Sequence, residues 1–119
     1  MEWKEELQQH TKEAEKVVQG YLPKETGHQK LLIEASNYSV LVGGKRLRPM
    51  IMLESFKAFG GTGNVVEPFM AALEMIHSGS LVHDDLPCMD NDEYRRGNLT
   101  TWKKYGYDMA VLAGDKLFI

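Results

Sequence analysis

The sequence predicts an all-α fold on three observations. Apolar residues recur at intervals of three and four along most of the chain, as on one face of an amphipathic helix. No segment shows the strict apolar–polar alternation of a half-buried strand. Glycine pairs at 43–44 and 60–61 interrupt the pattern where helices would end. At 119 residues, the chain is expected to form a single domain over 1–119.

The helical pattern divides into segments separated by glycine, proline or polar residues. In chain order, the predicted helices are 1–19, 31–42, 50–59, 65–85 and 107–119. The third is predicted to follow Pro49, since proline is tolerated in a first turn. Asn64 is predicted to cap the fourth helix, with Glu67 at a capping-box-like spacing. Pro87 disturbs the helical ladder after it, and 91–101 is predicted to be a loop.

Composition and charge exclude several functional classes. A net charge of −3 argues against a nucleic-acid binder, which needs a basic surface. The single cysteine, Cys88, excludes an internal disulfide and a multi-cysteine metal cage. No apolar run approaches the ~20 residues that cross a bilayer, and the charged N-terminus does not resemble a signal peptide. We therefore expect a cytoplasmic protein without a transmembrane segment.

Charge is concentrated in the segment 80–98, SLVHDDLPCMDNDEYRRGN. His77 and Asp84 are seven residues apart, which places them nearly in line on one helix. Asp84 and Asp90 are six apart and would lie on different faces of an uninterrupted helix. Pro87 or a local unwinding is therefore needed if both carboxylates are to meet one ligand.

These residue types suit a hard cation and phosphate. Converging carboxylates without cysteine partners favour Mg²⁺, and Arg95 and Arg96 could pair with phosphate oxygens. A second basic cluster, GGKRLRP, lies at 43–49. Each feature also has a plain structural interpretation: an acidic cluster can be a solvated helix end, and glycines with basic residues can cap a helix. A histidine such as His77, taken alone, is more often a structural residue than a ligand.

Three motifs together resemble a known family. They are GGKRLRP at 43–49, EMIHSGSLVHDDLPCMDNDEYRRG at 74–97 and LAGDKLF at 112–118. They closely resemble the N-terminal part of the trans-isoprenyl diphosphate synthases, the farnesyl and geranylgeranyl diphosphate synthase family. The resemblance implies a prenyltransferase that joins isopentenyl diphosphate to an allylic diphosphate with Mg²⁺ as cofactor. It also implies the N-terminal part of an isoprenoid-synthase helical bundle. Separately, the apolar run at the C-terminal end of the sequence predicts self-association, most simply as a homodimer.

The resemblance implies roles for individual residues. Asp84 and Asp90 would bind the Mg²⁺ that holds the allylic diphosphate, with Asp85 as a supporting member. Arg95 would contact the allylic diphosphate. The residues implied to hold isopentenyl diphosphate are Lys45, Arg48, His77 and Arg96.

Two further expectations follow from the resemblance. Ser80 and Gly79, four and five residues before Asp84, occupy positions that help to set the cavity depth, and neither is a bulky aromatic residue. The resemblance would therefore permit a product longer than farnesyl. Family members are usually well over twice as long and carry a second aspartate-rich motif, which this sequence lacks. We expect a truncated chain that alone catalyses poorly or not at all.

Two alternative functions belong to other classes of protein. The dipeptide His83-Asp84 also occurs in metal-dependent HD-type phosphohydrolases, which need further histidines. Here the upstream candidates, His10 and His28, lie in segments predicted to be exposed. The other alternative is a non-catalytic, self-associating helical fragment, because incomplete bundles leave apolar faces uncovered.

Overall fold

The computed structural model describes residues 2–119, which form six α-helices and one short β-hairpin. The elements are α1 (Trp3–Gly20), α2 (Lys30–Leu41), α3 (Leu47–Ala58), α4 (Glu67–Asp84), β1 (Tyr94–Arg95), β2 (Asn98–Leu99), α5 (Thr101–Tyr105) and α6 (Tyr107–Phe118). The predicted all-α class is confirmed. Met1, the first residue of the first predicted helix, lies outside the described residues. None of the helices within 2–119 is both long and apolar enough to cross a membrane.

Helices α3 and α4 begin at residues other than the predicted ones, and both shifts concern a capping or first-turn residue. Helix α3 begins at Leu47, so Pro49 lies inside its first turn and does not precede it. The missing proline N–H costs no hydrogen bond there, because first-turn amides have no partner within the helix. Helix α4 begins at Glu67, two residues later than predicted. The Glu67 amide donates to the backbone carbonyl of Asn64 at 3.1 Å, so Asn64 precedes the capping position.

The β-hairpin lies inside the segment that was predicted to be a loop. Tyr94 pairs with Leu99 and Arg95 with Asn98, which leaves a two-residue turn of Arg96 and Gly97. Both turn residues have positive φ, +51° and +81°, as in the type I′ turn that suits the twist of a hairpin. Strands of two residues are too short to show an alternating pattern, so periodicity could not reveal them.

The chain divides into two compact units, each built from two segments. The first contains the residues up to Leu22 together with Gly44–Glu74, and the second contains Pro23–Gly43 and Met75–Ile119. Helix α4 contributes residues to both. The expectation of a single domain stays a prediction.

The first unit has its core between α1, α3 and the start of α4. Its buried apolar side chains include Ala14, Val18, Met50, Val66 and Met70. Partly buried Leu53 and Phe56 of α3 pack against this cluster. The two methionines fill the space beside the small Ala14, a use that suits their flexible side chains.

In the second unit, α2 is joined to the hairpin and to α5 by polar contacts. The Tyr38 hydroxyl donates to the Leu99 carbonyl at 2.6 Å, and the buried Ser39 and Thr101 hydroxyls share a hydrogen bond of 2.7 Å. These contacts anchor β2 and α5 to α2. The buried apolar side chains of this unit include Ala35, Val40, Val82, Leu86, Ala110, Ala113 and Leu117.

Helices α4 and α6 approach closely at Gly79. A Cβ atom on Gly79 would lie 3.0 Å from the Leu117 Cβ and 3.2 Å from the Gly114 carbonyl oxygen. Gly79 is therefore buried against α6. The neighbouring Ser80 turns its hydroxyl back to the His77 carbonyl at 2.6 Å. The effect of these two positions on product length stays a prediction.

Candidate functional site

The acidic segment folds back on the end of α4. The helix ends at Asp84, three residues before Pro87, because a residue that precedes proline is disfavoured in the helical conformation. The Asp90 amide then donates to the Asp84 carbonyl at 2.8 Å, and the Asp92 amide donates to the Asp85 carbonyl at 3.1 Å. The predicted break in the helix therefore exists. It brings the backbones of Asp84 and Asp90 side by side, and both residues are exposed.

Asp85 is placed differently from these two aspartates. It is only 4% exposed, and both of its carboxylate oxygens accept hydrogen bonds from Arg95. Arg95 Nε lies 3.0 Å from Oδ2 and Nη2 lies 2.7 Å from Oδ1. This fork-to-fork geometry is the strong form of an arginine–carboxylate pair. The hydrogen bonds that Arg95 donates to Asp85 raise the pKa of Arg95 above its ordinary value, although partial burial opposes the shift.

Strand β1 and the hairpin turn position the two arginines. Arg95 closes the strand and reaches Asp85, whereas Arg96 occupies the turn with positive φ. The exposed Arg96 donates from Nη1 to the Gly43 carbonyl at 3.1 Å. A non-glycine residue in this backbone region costs roughly 1–2 kcal/mol, so the arginine is retained at an unfavourable position. Adjacent in sequence, the two arginines thus have separate surroundings.

The three cations of the basic cluster also have different surroundings. Lys45 precedes α3 and Arg48 lies in its first turn, and both are exposed. Arg46, between them, has no exposed side-chain surface. Its Nη1 lies 2.8 Å from Glu74 Oε1 and its Nη2 lies 3.1 Å from Glu15 Oε1, while its Nε contacts the other Glu15 oxygen. One of the three cations is therefore enclosed in the protein interior.

The pKa values within this buried cluster move as expected for ion pairs. Burial opposes ionisation of Arg46, but hydrogen bonds to Glu15 and Glu74 outweigh it and raise the arginine pKa. Burial likewise opposes ionisation of Glu15, and the hydrogen bond and charge of Arg46 reverse the effect and lower its pKa. Sequence reasoning missed this cluster. Its members are 31 and 28 residues apart, so no local pattern could connect them.

The predicted site residues are divided between the two units. Lys45 and Arg48 belong to the first. The second contains His77, Asp84, Asp85, Asp90, Arg95 and Arg96. His77 lies on α4, seven residues before Asp84, as the spacing predicted.

The aspartates of the acidic segment differ in how well they suit a metal ion. Within residues 2–119, no three histidine, cysteine, aspartate or glutamate side chains are grouped so that they could hold one. Asp84 and Asp90 nevertheless offer exposed oxygen donors on adjacent backbone, which fits Mg²⁺, an ion that keeps several waters and takes one or two carboxylates. Asp85 fits less well, because Arg95 uses both of its oxygens.

His83 does not contribute to a histidine–aspartate metal site of the phosphohydrolase kind. Its Nε2 lies 3.1 Å from the Val111 carbonyl oxygen and 3.3 Å from an Asp115 carboxylate oxygen, both on α6. His28 is exposed, and His10 lies 3.8 Å from Glu54 in the first unit. These surroundings give no support to that alternative.

Comparison with known proteins identifies the family. The family model described as polyprenyl synthetase matches residues 29–119. The chain therefore belongs to the polyprenyl synthetase family, and the predicted resemblance is confirmed. It is 57% identical over 84 residues to a chloroplastic geranylgeranyl pyrophosphate synthase of Catharanthus roseus, covering 71% of this chain and 24% of that protein. It is 54% identical over 89 residues to a farnesyl diphosphate synthase of Micrococcus luteus, covering 75% and 31%.

Solved structures support the fold over almost the whole chain. An FPP/GFPP synthase of Zymomonas mobilis matches with a TM-score of 0.86 and 36% identity, covering 97% of this chain and 41% of that one. A geranyltranstransferase of Thermotoga maritima matches with a TM-score of 0.84 and 37% identity, covering 95% and 42%. The chain thus spans about a quarter to a third of these curated relatives and about two fifths of these solved chains.

Proposed function

We propose that this chain carries diphosphate-binding elements of a Mg²⁺-dependent prenyltransferase that condenses isopentenyl diphosphate with an allylic diphosphate to farnesyl or geranylgeranyl diphosphate. The observation that carries the proposal is the fold-back of the acidic segment, which sets Asp84 and Asp90 beside each other. The arginine pair just beyond supplies the cations that a diphosphate requires. Membership of the polyprenyl synthetase family supports the same chemistry.

In this proposal the allylic diphosphate is held by a metal ion and by Arg95. Asp84 and Asp90 would hold the Mg²⁺, which neutralises the charge that develops on the leaving diphosphate. Asp85 holds the guanidinium of Arg95 in place. An arginine has five N–H donors. Asp85 accepts from only two of the Arg95 nitrogens, so donors remain for phosphate oxygens.

The isopentenyl diphosphate would be bound by exposed cations and a histidine. Lys45 and Arg48 are exposed near the start of α3, and Arg96 is exposed in the hairpin turn. His77 would add a further donor from α4. In the reaction, the allylic C–O bond breaks and the diphosphate leaves with the electron pair. The double bond of isopentenyl diphosphate attacks the allylic cation, and loss of a proton completes the step.

The setting of the activity is part of the proposal. We expect the protein to act in the cytoplasm as a homodimer, although some relatives are named as chloroplastic. The 119 residues alone are expected to bind an allylic diphosphate weakly and to turn over poorly or not at all, because they lack a second aspartate-rich motif.

Calorimetry with geranyl diphosphate tests this function. The unaltered chain should bind the ligand only when Mg²⁺ is present, and Asp84→Ala or Asp90→Ala should reduce the affinity at least about tenfold, since each removes one charged metal ligand. Asp92→Ala is a matched control, because Asp92 is an exposed aspartate of the same segment with no proposed metal role. Equal Mg²⁺-dependent binding by Asp84→Ala and the unaltered chain would contradict the proposed site.

A further inference from the structure

The buried arginine of the basic cluster lies between two proposed diphosphate ligands. Lys45 precedes Arg46 directly, and Arg48 follows it by two residues. Whereas its neighbours are exposed, the Arg46 guanidinium is enclosed between Glu15 of α1 and Glu74 of α4. It therefore cannot reach a diphosphate in solution, and its charge is used inside the protein.

The surroundings of Arg46 make its position difficult to change. A buried charge without a partner is strongly unfavourable, so removing one partner of a buried pair destabilises the folded state. Here two carboxylates, one of them on a residue only 3% exposed, satisfy the guanidinium. The side chain is thus fixed to two helices at once, and a shift of Arg46 would break contacts to both.

The backbone at Arg46 is held in an uncommon conformation. Arg46 has φ +54° at the residue that precedes α3, and Gly44 on the other side of Lys45 has φ +145°. Glycine adopts such values freely, whereas an arginine is strained by contacts of its Cβ atom with the backbone. A strained residue of this kind persists only when its surroundings determine it. The buried ion pairs provide that constraint.

The backbone turn at Arg46 sets the direction in which the chain passes from Lys45 into α3. The Arg46 carbonyl accepts the first helical hydrogen bond of α3, from the Met50 amide at 3.1 Å. Lys45 lies before this turn and Arg48 lies within the first helical turn after it. The separation and direction of the two side chains therefore depend on the backbone angles of Arg46.

We propose that Arg46 is a positioning residue of the isopentenyl diphosphate site, which holds the backbone turn that presents Lys45 and Arg48 as diphosphate ligands. It does this through its buried pairs with Glu15 and Glu74 and does not touch the substrate itself. The inference rests on the proposed function for the identity of the ligand, and it adds a residue to which that function assigned no role.

The test combines a charge-conserving variant with two readouts. Arg46→Lys keeps the positive charge but cannot fork between two carboxylates. Amide hydrogen exchange at Met50 reports the turn, and calorimetry with isopentenyl diphosphate reports the presentation of the two ligands. We expect exchange at Met50 to become about tenfold faster and affinity to fall about tenfold, the changes that follow when one constraint worth ~1.4 kcal/mol is lost.

A matched control separates positioning from general stability. Val18→Ala removes two methyl groups from a fully buried α1 residue of the same unit, and denaturant can be adjusted until its overall stability equals that of Arg46→Lys. A positioning role predicts that the control retains slow Met50 exchange and normal affinity. If Arg46→Lys and Val18→Ala change both readouts equally, Arg46 has only a structural role and the inference is overturned.

Two further outcomes also test the positioning role of Arg46. If Arg46→Lys does not fold, the milder Glu74→Gln, which removes the charge of only one partner, takes its place with the same expectations. If the unaltered chain binds no isopentenyl diphosphate, the proposed function fails at this site. The positioning role is then tested by amide hydrogen exchange alone. It is overturned if exchange at Met50 in Arg46→Lys is the same as in the unaltered chain.

Discussion

At the scale of single residues, two neighbouring aspartates have opposite environments. Asp84 is exposed at the end of α4. Asp85, in contrast, is buried, and its two carboxylate oxygens accept hydrogen bonds from Nε and Nη2 of Arg95. Adjacent side chains point in different directions from the end of a helix, so one can face solvent while the next faces the hairpin. The DD dipeptide thus combines a proposed metal ligand with a residue that orients an arginine.

Asp85→Asn should therefore weaken allylic diphosphate binding without removing a metal ligand. The neutral amide can accept only one hydrogen bond from the Arg95 fork, so Arg95 becomes free to adopt other rotamers. We expect the affinity for geranyl diphosphate to fall about 5- to 10-fold, corresponding to the loss of one charge-assisted hydrogen bond of roughly 1 kcal/mol or more. Calorimetry at several Mg²⁺ concentrations measures this effect.

The Mg²⁺ dependence distinguishes the two aspartates. For Asp85→Asn, the Mg²⁺ concentration that gives half-maximal binding should stay close to that of the unaltered chain, whereas for Asp84→Asn it should rise. Asp92→Asn, a neutralised aspartate in the same segment, controls for the general loss of negative charge. A large rise in the Mg²⁺ requirement of Asp85→Asn would assign Asp85 to the metal instead.

At the scale of helices and strands, the contact of α4 with α6 depends on the absence of a side chain. Gly79→Ala would place a methyl group 3.0 Å from the Leu117 Cβ and 3.2 Å from a backbone carbonyl, so α6 would have to shift. We expect the free energy of unfolding to fall by about 1–3 kcal/mol, the usual cost of overpacking. Urea unfolding followed by circular dichroism measures this change.

A second helical glycine provides the comparison for Gly79. At Gly20, the last residue of α1, a methyl group would meet no heavy atom within 4 Å, and the backbone conformation is one that alanine adopts easily. Gly20→Ala should leave the stability unchanged or raise it by up to ~1 kcal/mol through helix propensity. Equal stability of Gly79→Ala and Gly20→Ala would show that α4 and α6 adjust without cost.

Helices were more predictable than the short elements between them. Long amphipathic segments show their period in the sequence, so the helices from α1 to α4 and α6 were each anticipated to within a few residues. The hairpin and α5 were not, because strands of two residues and a helix of five show no period. The two-residue turn of Arg96 and Gly97 contains only one residue typical of turns, Gly97, and no alternating apolar residues flank it.

The candidate site was predictable in its chemistry and less so in its contacts. Pro87 and the six-residue spacing correctly indicated that α4 ends before Asp90. The buried state of Arg46 was not visible, because its carboxylate partners come from distant parts of the sequence. Composition likewise could not show which of Asp84 and Asp85 is exposed, since that depends on how the hairpin packs in the second unit.

At the scale of the whole molecule, large apolar side chains remain exposed in the first unit. An open apolar cavity of about 630 Å³ lies between α3, α4 and the loop that connects them. The Phe59 side chain at its edge is 94% exposed, and Val65 and Phe69 are each 63% exposed. Contiguous apolar surface of this kind favours association in water.

We therefore expect the chain to form a dimer or a larger species. Sedimentation velocity should show a mean mass that rises with protein concentration. The double variant Phe59→Ser, Phe69→Ser should have a lower mean mass than the unaltered chain at the same concentration. Trp3→Ser is a matched control, because Trp3 is 68% exposed in the same unit but does not line this cavity. A concentration-independent monomer at high concentration would contradict the expectation.

The interleaving of the two units has a consequence for synthesis on the ribosome. The segment Pro23–Gly43 belongs to the second unit but is translated between the two parts of the first. Arg46 emerges after Glu15 but 28 residues before Glu74. At translation rates of about 5–20 residues per second, the guanidinium has only one of its carboxylate partners for roughly 1–6 seconds. The turn that carries Lys45 and Arg48 therefore reaches its final form only after the whole of α3 and nearly half of α4 have been made.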